Sequence, residues 1–241
     1  MSTIFLIAKK ELSSFLNTSW GISIFAIILL LDGLLFNAFA LGSAPRYSAD
    51  VLEDFFYFSS GTTMIAGVLL TMRLLAEERQ QGTDALLLTA PIQESHIVIG
   101  KFLGSLSFLL MITICTLYMP LLIQINGKVS WGQIAAGYVG LTCLGASTIA
   151  IGTFGSTVSR NQLSAAITSA AILVLMLLGW LLGKITSPPF DTVFSYLAFF
   201  DKHFQPFMSG KINSEAVVFY LSITCAFLLL SVRVIQSRRQ Y

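Results

Sequence analysis

The chain has 241 residues, of which 55% are hydrophobic and 11% charged, with a formal net charge of +2. The charged share is roughly half that of an average soluble domain, so a water-exposed globule is excluded and lipid must cover much of the surface. An aromatic content of 12% excludes a disordered chain, and so small a net charge gives no electrostatic reason for a nucleic-acid partner.

The opening segment repeats apolar residues at helical spacing. Ile4, Ala8, Leu12, Phe15 and Leu16 share a stripe, and Lys9, Ser13 and Ser14 lie away from it. This predicts an amphipathic helix over 1–18 in the membrane plane, with Lys9 and Lys10 toward anionic headgroups. Such a start lacks the unbroken apolar core of a cleaved leader, so the N-terminus is expected to be retained. Asn17, Thr18 and Ser19 supply a turn or cap before Trp20.

A hydrocarbon core of about 30 Å needs roughly 20 helical residues. Six apolar runs of that size follow within 20–235: Trp20 to Leu41, Phe55 to Met72, Phe102 to Ile123, Gly132 to Val158, Ser164 to Gly183 and Ala216 to Ile235. They lack the period-two alternation of barrel strands, so the expected fold is all-α, a polytopic bundle of six transmembrane helices forming one domain over 1–241. An even number of crossings puts both termini on one side. That side holds Lys9, Lys10, Arg73, Arg79, Lys101, Arg160, Arg233, Arg238 and Arg239, against Arg46, Lys128, Lys184, Lys202 and Lys211 opposite, which predicts cytoplasmic termini.

Asp32 is the ionisable residue well inside a predicted span. A charge there must face the bundle, accept hydrogen bonds or take up a proton. It reads either as a packing carboxylate bonded to a neighbouring Ser, Thr or backbone group, or, with Asn37 one and a half turns on, as a contact for a polar substrate group.

The loop 73–101 is the most informative stretch. Glu77, Glu78 and Arg79 are expected to extend the second helix beyond lipid, and Gly82 to end it with a positive φ. Thr83 then caps a short helix carrying Asp84, Leu86, Leu87 and Leu88, which Pro91 terminates. Three consecutive leucines on a surface loop imply a partner, whose motion would reach both flanking spans.

Close helix crossings are expected at Gly100 to Gly104, Gly145 to Ser156 and Gly179 to Gly183, mostly within the chain and partly at a subunit seam. The outer segment 184–214, with Pro188, Pro189, Pro206 and many aromatics, is expected to form short helices at the interface. Cys115, Cys143 and Cys225 stand far apart in apolar runs and read as buried hydrophobes, with no metal site. His96 and His203 fall on opposite predicted sides, and no zinc-protease or serine-hydrolase signature occurs, so substrate chemistry is not expected.

The stretch A-E-E-R-Q-Q-G-T-D-A-L-L-L-T-A-P, followed by I-V-I-G-K, resembles the membrane subunits of ABC-2 type exporters, particularly the branch associated with gliding motility and copper-site maturation. A-K-K-E-L before the first span, G-A-S-T-I-A-I-G-T-F-G-S in the fourth, S-R-N-Q after it, F-F-D-K-H-F and the closing S-V-R-V-I-Q-S-R-R extend the likeness over nearly the whole chain. It implies that the first helix, with Lys9, Lys10 and Glu11, is a connecting helix, and that the 73–101 loop carries a cytoplasmic coupling helix seated on an ATPase. By position, Glu77, Glu78, Arg79, Gly82, Thr83, Asp84, Leu86, Leu87, Thr89 and Pro91 form the coupling element, with Gly100 and Lys101 at its exit. Asp84 and Ala85 stand where the family more often has a hydrophobe and Glu, a departure that bears on partner preference.

The chain has no G-x-x-x-x-G-K-[S/T] loop and no L-S-G-G-Q stretch, so ATP and Mg are expected on a partner chain and no cofactor on this one. The resemblance further implies two ABC ATPase subunits and a second membrane subunit, identical or homologous, in a bacterial inner membrane, and it is compatible with a periplasmic auxiliary protein. The implied function is a permease subunit moving a lipidic or amphipathic substrate outward. Two alternatives accompany it: a non-transporting scaffold passing ATPase-driven force to a periplasmic or motility machine, and an ion-coupled carrier with Asp32 as its proton site.

Overall fold

A computed structural model describes residues 3–41, 47–83, 92–127, 129–185, 196 and 198–239. The first helix, α1 (Thr3–Asn17), hands over to α2 (Ser19–Leu35) at Thr18, whose hydroxyl accepts from the Gly21 N–H at 3.4 Å. A π-helical turn, Phe36–Leu41, widens the far end of α2. There follow α3 (Ser48–Thr71), α4 (Ala76–Gln80), α5 (Glu94–Cys115), α6 (Tyr118–Asn126) and α7 (Trp131–Val158). The chain closes with α8 (Gln162–Leu177), α9 (Gly179–Ile185), the single turn α10 (Gln205–Met208) and α11 (Ser214–Arg239). No strand occurs among the described residues.

Five segments among these residues are long and apolar enough to cross a bilayer: Ser19–Phe39, Ser48–Gln80, Glu94–Ile125, Trp131–Val158 and Ser214–Arg238. Over 164–183, where a sixth span is expected, the helix is interrupted. There α8 ends after 16 residues, about 24 Å of helix, and Leu178 turns the chain into α9. The carbonyl of Met176, freed by the break, accepts from the Phe199 N–H at 3.2 Å. The third expected span is interrupted as well. Pro120 has no N–H to offer Thr116, which accepts from Met119 at 3.0 Å instead, and this separates α5 from α6.

The axis of the bundle is α7. Its most apolar stretch is 67% buried, against 22% for α2 and 28% for α11, which leaves those two helices on the outside of the chain. Small residues make the axis possible. A Cβ on Gly145 would stand 2.5 Å from Leu109 of α5, and one on Gly140 would stand 2.7 Å from Phe207 of α10. One on Gly152 would land on the Thr71 hydroxyl of α3, and one on Gly155 on the Ser169 hydroxyl of α8. The small residues tested in this run therefore serve packing within the chain.

The first turns of α1 and the last turns of α11 lie at one end of the bundle, where Ile7 and Ile235 pack around Leu75, Ile97 and Val98. At the opposite end Phe36, Phe55, Phe56, Phe199, Phe204 and Phe207 fill the core. The expected 184–214 segment is only partly described: Pro188, Pro189 and Asp191 lie outside the described residues. Among the described residues Phe199, Phe204 and Phe207 are fully buried, Tyr196 is 45% exposed, and the Tyr220 hydroxyl donates to the Phe199 carbonyl at 2.7 Å. His203 stacks on Phe219 with ring centroids 3.7 Å apart, and its Nε2 lies 3.0 Å from the Tyr196 carbonyl. Burial, aided by Lys202, pushes the imidazole below its usual range against the opposing pull of the Tyr196 carbonyl and Glu215.

Two outcomes follow from this packing. Gly152→Leu is expected to cost about 1–3 kcal/mol by overpacking and to lower the thermal midpoint in detergent, whereas Gly61→Ala, with open space beside it, leaves the midpoint unchanged. A histidine held neutral by the fold adds stability above its unfolded pKa of about 6.5 and loses it as pH falls below that value. The midpoint is thus expected to drop between pH 7.5 and 5.5, and the drop to shrink in His203→Phe.

Candidate coupling site

The site forms where α1 lies against the start of α5. A Cβ on Gly100 would stand 2.7 Å from the Ile7 side chain, and one on Gly104 would stand 2.6 Å from Glu11. The two glycines thus bring the helices together with no side chain of α5 between them. The packed face of α1 differs from the predicted stripe: Leu16 is 44% exposed, while Ile7 and Glu11 turn inward beside Phe15. Lys9 and Lys10 are exposed.

A break in α3 builds the second side. The sequence suggested a smooth extension through Glu77, Glu78 and Arg79; instead Met72 to Leu75 form turns before α4 begins. The Ser156 hydroxyl of α7 accepts from the N–H groups of both Leu75 and Ala76 at 3.0 Å, supplying partners that a helix start lacks. At the other end of α4, Gly82 has φ +69° as expected. The Gly82 N–H bonds to Arg79 and the Thr83 N–H to Glu78, a left-handed glycine cap in which the Thr83 hydroxyl also donates to the Glu78 carbonyl. Arg79 donates to the carbonyls of Ser159 and Thr157, the latter at 2.9 Å, and Arg238 to that of Val158 at 3.2 Å. Two cations therefore sit on the negative end of the α7 dipole.

Lys101 joins the two sides. Its side chain is 5% exposed, with Nζ 2.8 Å from Glu78 Oε1 of α4 and 3.5 Å from Glu11 Oε2 of α1. A buried ammonium is tolerated only when paired and hydrogen-bonded. Arg73 extends the network, pairing with Glu77 (Nε to Oε2, 2.6 Å) and lying 5.4 Å above the Trp20 ring of α2. Three separate helices are thereby held at one point, and two further contacts tie in α2 and α7.

Of the sequence-predicted residues, the structure gathers Glu11, Glu77, Glu78, Arg79, Gly82, Thr83, Gly100 and Lys101 here. Asp84, Leu86, Leu87, Thr89 and Pro91 lie outside the described residues. Asp32 is remote from this end: it is buried at 5% exposure and accepts from the Thr62 hydroxyl at 2.6 Å. Asn37, expected beside it, is exposed on the π-helical turn, so the two do not converge. Sequence reasoning missed Ser156, Arg73, Trp20 and Arg238. Ser156 was hidden in a run of small residues that reads as packing, whereas Arg73 four residues before Glu77 was a visible pairing signal.

This arrangement defines a multi-pass helical membrane protein in which α1, α4 and α5 are locked together at one end of the bundle. The sequence profile of the ABC-2 family transporter proteins matches residues 5–235, and the chain belongs to that family. Members are membrane transport components that work with ABC ATPase subunits and a membrane partner. No curated protein matches the chain.

Breaking the node has a ranked cost. Removing one partner of a buried charge pair costs about 3–5 kcal/mol when fully buried and less at partial exposure. Glu78→Gln is expected to lower the detergent thermal midpoint more than Glu11→Gln, because its oxygen is the nearer one, and the Glu11→Gln/Glu78→Gln double variant to lose more than the sum of the two, because only then is the buried ammonium left without a carboxylate. Equal single losses that add fully would refute a shared node.

Proposed function

We propose that this chain is the permease subunit of an ATP-driven exporter of the gliding-motility and copper-site branch, in a bacterial inner membrane with both termini cytoplasmic. In this reading α8 and α9 together complete a sixth crossing, two ABC ATPases carry ATP and Mg, and a second membrane subunit, identical or homologous, completes the pathway. The hairpin 73–101 receives the ATPase stroke through Leu86 and its neighbours. The observation that carries the reading is the buried Lys101 held by Glu11 and Glu78. A force on α4 acts directly on α1 and α5, and through Ser156 and Arg79 on the axial α7. A lipidic or amphipathic cargo is supported by a groove of about 530 Å³ toward the opposite end, walled by Leu35, Tyr57, Met64, Ile65, Leu177 and Phe200.

The test is purification of the tagged chain from its own membranes in mild detergent. An ABC ATPase identified by mass spectrometry is expected with the wild type and lost with Gly82→Pro or Leu86→Asp at unchanged membrane levels. Proline cannot adopt the φ of +69° at Gly82. A wild-type chain that retains no ATPase, or variants that retain it fully, would overturn the reading.

A further inference from the structure

A small cavity lies inside the bundle between α2, α3, α5 and α7, and its volume of about 10 Å³ gives room for one occupant the size of a water molecule. Five polar residues line it: Asp32 of α2, Ser59 and Thr63 of α3, Thr113 in the last turn of α5 and Thr116 just beyond it. Each of these keeps between 3% and 8% of its surface accessible, whereas the apolar residues of the wall keep at most 2%. The accessible surface of the wall is thus concentrated on the oxygen-bearing residues.

Two negative groups meet there without a cation from the chain. The Asp32 carboxyl is bonded by hydroxyls alone, those of Thr62 at 2.6 Å and of Ser59, and no Lys, Arg or His among the described residues pairs with it. Because α5 ends at Cys115, the negative end of its dipole lies at the same cavity. A buried charge persists only when it is paired, coordinated or neutralised. The α5 hydroxyls add to the need, since Thr113 donates to the Leu109 carbonyl at 2.9 Å and Thr116 to the Thr113 carbonyl at 2.8 Å. With their protons committed, both present lone pairs. The Thr63 hydroxyl, on a residue 7% exposed, has no hydrogen-bond partner among the described residues. A water molecule would fill the volume but leave the carboxylate and the helix end uncompensated. A proton on Asp32 would remove the charge and leave the cavity and Thr63 unserved. A divalent ion would leave one positive charge in excess, and no cluster of three or more His, Cys, Asp or Glu occurs among the described residues to balance it. One carboxylate, four hydroxyl oxygens and a helix C-terminus match a small, hard, monovalent cation.

We infer that this cavity binds one dehydrated sodium ion, held by the Asp32 carboxylate and the hydroxyl oxygens of Ser59, Thr63, Thr113 and Thr116. Potassium is too large for the volume. The ion ties α2 and α3 to the end of α5 in the interior of the bundle. Thr62, bonded to the carboxyl, also lines the groove of about 530 Å³, so the ion and an occupant of that groove share one residue. The site stands independently of the coupling role proposed for the loop 73–101.

The experiment is binding of radiolabelled sodium ion to the purified full chain in detergent, with choline chloride holding the ionic strength constant. Saturable binding close to one ion per chain is expected, with unlabelled potassium competing several-fold less well than unlabelled sodium. Asp32→Asn keeps the shape and an acceptor for Thr62, and is expected to abolish binding. Thr63→Val removes a hydroxyl that bonds to nothing else, so it is expected to weaken binding several-fold while circular dichroism stays that of the wild type. Exchanging choline for sodium is expected to raise the wild-type thermal midpoint by about 2–4 °C, a rise that disappears in Asp32→Asn. The absence of saturable sodium binding, which would make water or a proton the occupant, would overturn the site. Equal competition by potassium, or undiminished binding in either variant, would overturn it as well.

Discussion

A single buried ammonium organises the end of the bundle that carries both termini. Lys101 projects from α5 into a position where water cannot solvate it, and the two carboxylates that compensate come from helices on either side. Neither α1 nor α4 can move away without leaving a charge in a poorly solvated environment. The glycines at 100 and 104 serve this constraint, because a side chain at either position would hold α1 too far off for Glu11 to reach.

The break in α3 has the same logic. A helix running straight on from Thr71 would carry Glu78 along the α3 axis rather than back across Lys101. The turn at 72–75 redirects it, and the Ser156 hydroxyl satisfies the N–H groups that the turn frees. On the far side of α4, Arg79 binds the carbonyl end of α7. The segment from Met72 to Thr83 is therefore tied both to the axial α7 and, through Glu78 and Lys101, to α5.

The interior of the spans is chemically quieter than its Ser and Thr content suggests. Thr71, Thr148, Thr153, Ser169 and Thr224 donate to carbonyls one turn back in their own helices. Such bonds leave no polar group facing lipid or core and let small residues pack closely. Asp32 differs, because its partner Thr62 belongs to another helix. A carboxyl group bonded across α2 and α3 pins the outer, little-buried first span to the core.

Composition and apolar run length were sufficient to show an all-helical membrane protein, since the cost of unpaired backbone in lipid leaves few other solutions. The fourth span and the left-handed Gly82 were also legible, the first from its density of small residues and the second because only glycine takes that φ at little steric cost. The breaks at 72–75 and 178 were not. They are stabilised by Ser156 and by Phe199, partners distant in the chain, and no local propensity encodes them. The positions of Glu77, Glu78, Arg79, Gly100 and Lys101 stood out in the sequence, but their pairing did not. Glu11 and Glu78 stand 90 and 23 residues from Lys101, and a pairing of charges becomes specific only when packing brings them within reach and removes the competing water.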